Sequence, residues 1–278
     1  MAKARRLITE NIKAVDVAAE LLDARIPYSS ANPMIAELTA GKPRLIILNK
    51  ADMADPEETK KWQAWFRAQG MKAIAMDSRT KKSKKLFFQA VREAAQPVLK
   101  KWEGRGMKNR SVRLMILGIP NVGKSTLINS LSGTGAARTA NTPGHTRGKQ
   151  WVRLSDGLDL LDTPGVLWPK LDNQTAAVRL AATGAVADDV FDLETVVPAL
   201  LKRLIKKAPQ ELADRYGTDP AEQDGEVLLK EVARRRGCLL PGGTVDWERA
   251  RRVVLNDFQD GRLGRITLDS APKEEADS

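Results

Sequence analysis

The segment Gly118-Ile119-Pro120-Asn121-Val122-Gly123-Lys124-Ser125-Thr126 constrains this chain more than any other. It is entered from the apolar run Arg113-Leu114-Met115-Ile116-Leu117 and continued by Leu127-Ile128-Asn129-Ser130-Leu131, so Gly-x4-Gly-Lys-Ser sits between a strand pattern and a helix pattern. The glycines let successive backbone N–H groups turn inward around phosphate oxygens, and the helix N-terminus adds partial positive charge. Lys124 is spaced to reach the β- and γ-phosphates, and Ser125 to place its hydroxyl on Mg2+.

The 278 residues suffice for one large or two medium domains. A net charge of +11 points to a polyanionic partner, most simply nucleic acid. The single cysteine, Cys238, excludes an intrachain disulfide framework and reads as a small, partly buried apolar residue in a reducing compartment. No apolar stretch approaches the length of a membrane-spanning helix. The Arg-rich opening is interrupted by Glu10 and Asp16, unlike a targeting peptide, so the expected location is cytoplasmic.

The pattern predicts a helix over 3–14, a strand from Val15 to Leu22, a loop at Ser29-Ser30-Ala31-Asn32-Pro33 and a short helix from Met34 to Leu38. A buried strand over 43–48, a helix over 56–69, a strand over 72–76 and a helix over 83–95 follow, before a basic linker over 100–110. Beyond the phosphate loop come a Gly/Thr-rich loop over 133–148, expected to be mobile without ligand, and strands over 149–154 and 158–161. Functional residues at strand ends predict a parallel-rich α/β sheet with helices on both faces and its ligand at the carboxyl edge. From Thr175 the pattern is helical, with Val196, Val197, Leu200, Leu201, Leu204 and Ile205 at helical spacing and Val245, Ala250, Val253, Val254 and Phe258 less regular. Arg234, Arg235, Arg236, Arg249, Arg251 and Arg252 read equally as a solvated face or an RNA-contacting one. The expected division is a nucleotide-binding domain over 1–172, a helical domain over 173–270 and a disordered tail over 271–278.

Two further stretches complete one site. Asn49-Lys50-Ala51-Asp52 matches Asn-Lys-x-Asp, the guanine-reading element of GTPases. A carboxylate at Asp52 accepts from the adjacent N1–H and N2–H2 of guanine, whereas ATP would leave it buried and unpaired. Lys50 is expected along the base plane, Asn49 as a tie to the phosphate loop, and Ser78 as a frame for the base through its backbone. Asp162-Thr163-Pro164-Gly165 places Asp162 at a strand end to hold Mg2+ and the Gly165 N–H to sense the γ-phosphate. Thr146, in Pro143-Gly144-His145-Thr146-Arg147, is expected to join the Mg2+ shell when triphosphate is bound. The nucleotide-binding set is thus Asn49, Lys50, Asp52, Ser78, Asn121, Val122, Gly123, Lys124, Ser125, Thr126, Thr146 and Gly165, with Ser125, Thr146 and Asp162 on Mg2+.

In Ras-like GTPases the phosphate loop precedes Asn-Lys-x-Asp, whereas here Asn49 precedes Gly118. The same sheet closes if the chain is circularly permuted. With Asp23-Ala24-Arg25-Ile26-Pro27 ahead of these motifs, and Leu167-Trp168-Pro169-Lys170 and Arg236-Gly237-Cys238-Leu239 after them, the chain resembles the circularly permuted GTPases. Within these it is most similar to the ribosome biogenesis GTPase A (YlqF) family. The resemblance implies a circularly permuted P-loop GTPase domain followed by an all-helical C-terminal domain that docks on the large ribosomal subunit and ribosomal RNA. It implies GTP and GDP as ligands and K+ held with the help of Asn121; Mg2+ is the expected cofactor and a monomer the expected state. It also implies that the γ-phosphate sensor at Gly165 leads directly into the helical domain.

Val166 stands where Ras-like enzymes place a water-orienting glutamine, and an aliphatic side chain cannot do that work. The resembled family supplies instead a histidine from a Pro-Gly-His segment just before the position of Met1-Ala2-Lys3-Ala4, which this sequence does not include. Either the start lies at an internal methionine of a longer protein or this form lacks that group, and His145 reads as a solvent-facing loop residue. The catalytic water-positioning residue is therefore unassigned. The expected activity is a ribosome-stimulated GTPase switch in late large-subunit assembly. The rivals are a GTP-dependent RNA-binding module with little turnover, an ATP-dependent P-loop enzyme, and an RNA-binding protein with a vestigial nucleotide site.

Overall fold

The computed structural model describes residues 2–107, 110–132, 151–155, 157–161, 173–187, 189–220 and 224–272. Six strands, β1 (Val17–Asp23), β2 (Arg44–Asn49), β3 (Lys72–Met76), β4 (Val112–Gly118), β5 (Trp151–Leu154) and β6 (Leu158–Leu161), form one sheet in the order β3-β2-β1-β4-β6-β5. Every neighbouring pair is parallel except β5 with β6. All seven residues of β1 are buried, as a central parallel strand covered on both faces requires.

Alternation along the strands sorts side chains onto two faces. Val17, Ala19, Leu21, Leu45, Ile47, Leu114 and Ile116 pack with Phe87 and Val91 of α5 (Lys81–Glu103) and Leu127 of α6 (Lys124–Ser132). On the opposite face Leu22, Ile46 and Leu48 pack with Trp62 and Phe66 of α4 (Pro56–Ala68). Met115 and Leu117 pack there with Ile8 of α1 (Ala2–Ile12) and Ile35 of α3 (Pro33–Leu38).

Local chemistry sets the helix starts. Asp55 accepts from the Glu57 and Glu58 N–H groups, with Pro56 in the first turn of α4. Thr80 caps α5 by accepting from Ser83 N–H.

Three expectations are corrected. Pro27–Ser30 forms a helical turn, α2, where a loop was expected, because Pro27 is preset for a first helical position and Ser30 Oγ donates back to Ile26 O at 2.7 Å. Helix α5 runs to Glu103, through Pro97 and into the expected linker. Trp102 is buried at its end and Arg110 stacks over that ring at 4.4 Å, which outweighs the N–H that Pro97 lacks. Val245 lies outside any helix, in an antiparallel bridge with Leu239.

The chain continues as α7 (Gln174–Ala182), α8 (Leu193–Lys207), α9 (Pro209–Tyr216), α10 (Gly225–Arg235) and α11 (Trp247–Gln259). Helix α8 is the hub, touching α7, α9, α10 and α11 and burying Val196, Val197, Leu200, Leu201 and Leu204. Cys238 is fully buried between α10 and α11. The bidentate pair of Arg215 with the buried Asp257, at 2.9 and 2.7 Å, fastens α9 to α11. Arg251 pairs with Glu194 at 2.7 Å and Arg236 donates to Arg215 O at 2.8 Å, so part of the arginine-rich surface is spent on the bundle itself.

Helices α8 and α10 approach so closely that a Cβ on Gly225 would lie 2.5 Å from Pro198 O. Gly225→Ala should therefore separate the two helices and cost about 1–3 kcal/mol. In thermal unfolding the melting temperature should drop by roughly 2–4 °C per kcal/mol.

Candidate functional site

Because β1, β2, β3 and β4 are parallel, their carboxyl ends share one edge, and β1 is where the chain order reverses. The chain steps outward through β2 and β3, then returns as β4 on the other side of β1. Such a switch point opens a crevice beyond the strand ends. Gly118, which ends β4, lies against β1 so closely that a Cβ would be 2.7 Å from Leu21 O.

Asn49 joins the two sides of this crevice. Its Nδ2 donates to Val122 O at 2.8 Å, and its Oδ1 accepts from Ser78 N–H at 3.1 Å and Ser78 Oγ at 2.6 Å. Asn49, Val122 and Ser78 are all buried, so one amide clamps the end of β2 to the phosphate loop and to the loop after β3. Ser78, expected to frame a base through its backbone, has its N–H engaged by Asn49. Gly123 has φ +97°, and a Cβ there would overlap the Asn49 amide nitrogen.

Lys50 and Asn121 are the non-glycine residues with positive φ among those described, at 58° and 56°. Held left-handed backbone of this kind concentrates at functional sites. Lys50 Nζ lies 3.0 Å from Asp23 Oδ2. Arg25 also grips Asp23, with Nε to Oδ1 at 3.0 Å and Nη2 to Oδ2 at 2.9 Å, while its Nη1 donates to Phe258 O and Gln259 O at the end of α11. Burial alone would raise the Asp23 pKa, but the charges of Arg25 and Lys50 and the Arg25 hydrogen bonds hold it well below the ordinary carboxylate range. The sequence carried this cluster in Asp23-Ala24-Arg25, but it assigned no role to either charge.

The Asp52 side chain is one-third exposed and pairs with Arg79 Nη2 at 2.6 Å. Arg79 also binds Asp77, through Nε to Oδ1 at 2.9 Å and Nη2 to Oδ2 at 3.1 Å, and these bonds hold the Asp77 carboxyl below its usual range. The guanidinium meets Asp52 with the kind of N–H donor that a guanine edge offers. Asn49, Lys50, Asp52, Met53, Asp77, Ser78, Arg79, Gly123 and Thr126 surround a cavity of about 130 Å³. Arg79 and Asp77 were missed in the sequence; their position beside Ser78 was the available signal.

Lys124 opens α6 immediately after Gly123, with Ser125 and Thr126 exposed in its first turn. Asn121 Nδ2 donates to Gly184 O at 2.7 Å, which joins the phosphate loop to the turn after α7. Thr146, Asp162, Gly165, His145 and Val166 lie outside the described residues. The donors assembled by sequence for Mg2+, two hydroxyls and a carboxylate, are hard oxygens of the type that ion takes, and the Ser125 hydroxyl is open to it at the helix N-terminus.

Removing the Asn49 side chain leaves Val122 O and the Ser78 donors without their buried partner. Asn49→Ala should cost about 1–3 kcal/mol and appear as an earlier denaturant midpoint at pH 7. Asp23 gives a second outcome. With its folded pKa below its unfolded one, its stabilisation is full above about pH 4 and drains as pH falls further. Asp23→Asn should be about 3–5 kcal/mol less stable at neutral pH. Its stability in urea should also fall less steeply below about pH 4 than that of the unaltered chain.

Residues 113–219 match the family model described as "50S ribosome-binding GTPase". The chain is 42% identical over 274 residues to the ribosome biogenesis GTPase A of Bacillus cereus, covering 99% of this chain and 92% of that protein. It is 41% identical over 276 residues to the protein of the same name from Priestia megaterium, covering 99% and 96%. The crystal structure of GNP-bound YlqF from Thermotoga maritima superposes with a TM-score of 0.67 at 27% identity, covering 98% of this chain and 99% of that one. GTP and GDP binding, with Mg2+ dependence, follow from membership of this class, which does not favour an RNA-binding module without turnover. Full-length identity, the fold and the site order agree: the chain belongs to the ribosome biogenesis GTPase A family.

Proposed function

We propose that this chain is a GTP-hydrolysing switch for late assembly of the large ribosomal subunit, acting as a cytoplasmic monomer that contacts ribosomal RNA. The observation that carries the reading is the Asn49 clamp, which fixes a carboxylate-bearing loop and a phosphate-binding loop around one cavity. A nucleotide with a guanine edge at one end and phosphates at the other would use both.

In this reading Asp52 exchanges Arg79 for the N1–H and N2–H2 donors of guanine, and Lys50, held by Asp23, lies along the base. The backbone from Asn121 through Thr126, with Val122, Gly123 and Ser125, wraps the phosphates, and Lys124 neutralises charge on the β- and γ-oxygens. Ser125, Thr146 and Asp162 would hold Mg2+, which when bound offsets charge developing between those phosphates. The Oδ1 of Asn121 is the end that would serve K+, while its Nδ2 is engaged by Gly184. Gly165 senses the γ-phosphate. Residues 1–172 act as the nucleotide domain and 173–270 as the docking domain. The net charge of +11 supports an RNA partner, and transition-state groups supplied by the ribosome raise turnover in trans.

The test is GTP hydrolysis at physiological K+ with and without purified large subunits. Stimulation of about tenfold or more is expected; equal rates would remove the ribosome from the mechanism. Asp52→Asn should weaken GDP binding about a hundredfold and gain affinity for xanthosine diphosphate, whose C2 carbonyl accepts from the new amide. Unchanged base preference would take Asp52 out of the site.

A further inference from the structure

The segment after α11 does not leave the molecule. It crosses the base of the loop that carries Lys50 and Asp52. Arg265 donates from Nε to Ala54 O at 3.0 Å and from Nη2 to Ala51 O at 3.1 Å. The Ile266 N–H donates to Met53 O at 3.0 Å. Thr267 Oγ accepts from Asp55 N–H at 3.0 Å and donates to Ala24 O at 3.3 Å. A Cβ on Gly261 would lie 3.1 Å from the Met53 side chain, so this turn also presses on the same loop.

The other side of the segment is anchored in the helices. Arg203 of α8 donates to Leu268 O at 2.8 Å, and Arg179 of α7 pairs with Asp269 at 2.6 Å. Asp269 accepts from Ser29 N–H at 2.8 Å and Ser29 Oγ at 3.0 Å, and Arg25 caps the end of α11 while holding Asp23. The segment that orients the carbonyls of Ala51, Met53 and Ala54 is therefore tied, at Leu268 and Asp269, to α8 and α7.

We propose that residues 261–269 are a positioning strap for the guanine-reading loop, so that affinity for the guanine base is set by the packing of the helical bundle. None of these residues lines the cavity; they act through the backbone that carries Lys50 and Asp52. The strap is a second connection between nucleotide and helices, on the base side and independent of any γ-phosphate sensor. It implies that a partner which shifts α11 changes the affinity for GDP and GTP alike, because both carry the same base. The proposal rests on the reading of Asp52 as the guanine acceptor.

The experiment compares the unaltered full chain with Arg265→Ala, Arg265→Lys and Thr267→Val. It reads equilibrium binding of GDP, a GTP analogue and inosine diphosphate, which lacks the 2-amino group, together with hydrogen exchange over residues 49–55. Arg265→Ala should weaken GDP and the GTP analogue by the same factor, about three- to tenfold, as expected for loss of two hydrogen bonds. It should reduce the preference for GDP over inosine diphosphate and speed exchange in residues 49–55, with the melting temperature within about 2 °C of the parent. Thr267→Val should act in the same direction, and Arg265→Lys should recover part of the affinity. Unchanged GDP affinity and unchanged base preference in both Arg265→Ala and Thr267→Val would overturn the strap. A uniform fall in stability with base preference intact would also overturn it, by reducing the segment to a structural role. If the unaltered chain itself shows no preference for GDP over inosine diphosphate, the assignment of Asp52 fails, and that outcome is separate from failure of the strap.

Discussion

A buried carboxylate at the end of β1 carries two cations, and much of the molecule is arranged so that it can. Asp23 cannot be buried and charged alone, since an unpaired carboxylate in such a place costs several kcal/mol. Arg25 and Lys50 share the compensation. Arg25 in turn needs acceptors for its remaining donors and finds them at the carbonyl end of α11, where the helix dipole favours positive charge. Lys50 is thereby held in left-handed backbone beside the cavity that Asn49, Asp52 and Ser78 also line. One ion cluster thus fixes a loop beside the nucleotide site on one side and the last helix of the bundle on the other.

The helical segments touch both the phosphate loop and the loop that carries Lys50 and Asp52. At the phosphate end, Asn121 donates to Gly184 in the turn after α7. On the other side, residues 261–269 cross under the Lys50 to Asp52 loop. Between them the apolar core is continuous, from Phe87 and Leu127 through Leu180 to Leu200, Leu228 and Phe258. In a circularly permuted chain the segment that follows the second phosphate element is free to lead into new structure. Here the later segments fold back against the phosphate loop and the Lys50 to Asp52 loop.

Much of this was legible in the sequence, for identifiable reasons. Continuous apolar runs such as Leu45-Ile46-Ile47-Leu48 announce strands buried on both faces, and β3 spans Lys72–Met76, the bounds expected for it. Gly118 and Gly123 are legible because the backbone approaches they permit are stereochemically demanding, and the structure shows both approaches. What was not legible depends on contacts distant in the chain. Arg79 next to Ser78 gives no hint that it will occupy Asp52, because that pairing is set by the register of β2 against β3. The extension of α5 past Pro97 depends on where Trp102 finds cover, and the path of residues 261–269 depends on carbonyls contributed by residues 51–54. Local propensity carries no information about either.

The most direct test of this account is an equilibrium competition in which GDP and ADP displace a fluorescent guanine nucleotide from the full chain in Mg2+ and K+. Displacement by GDP is expected, with ADP weaker by at least about a hundredfold, since adenine carries neither the N1–H nor the N2–H2 that would replace Arg79 on Asp52. Comparable displacement by the two would contradict a site built to read guanine, whatever the chain's family.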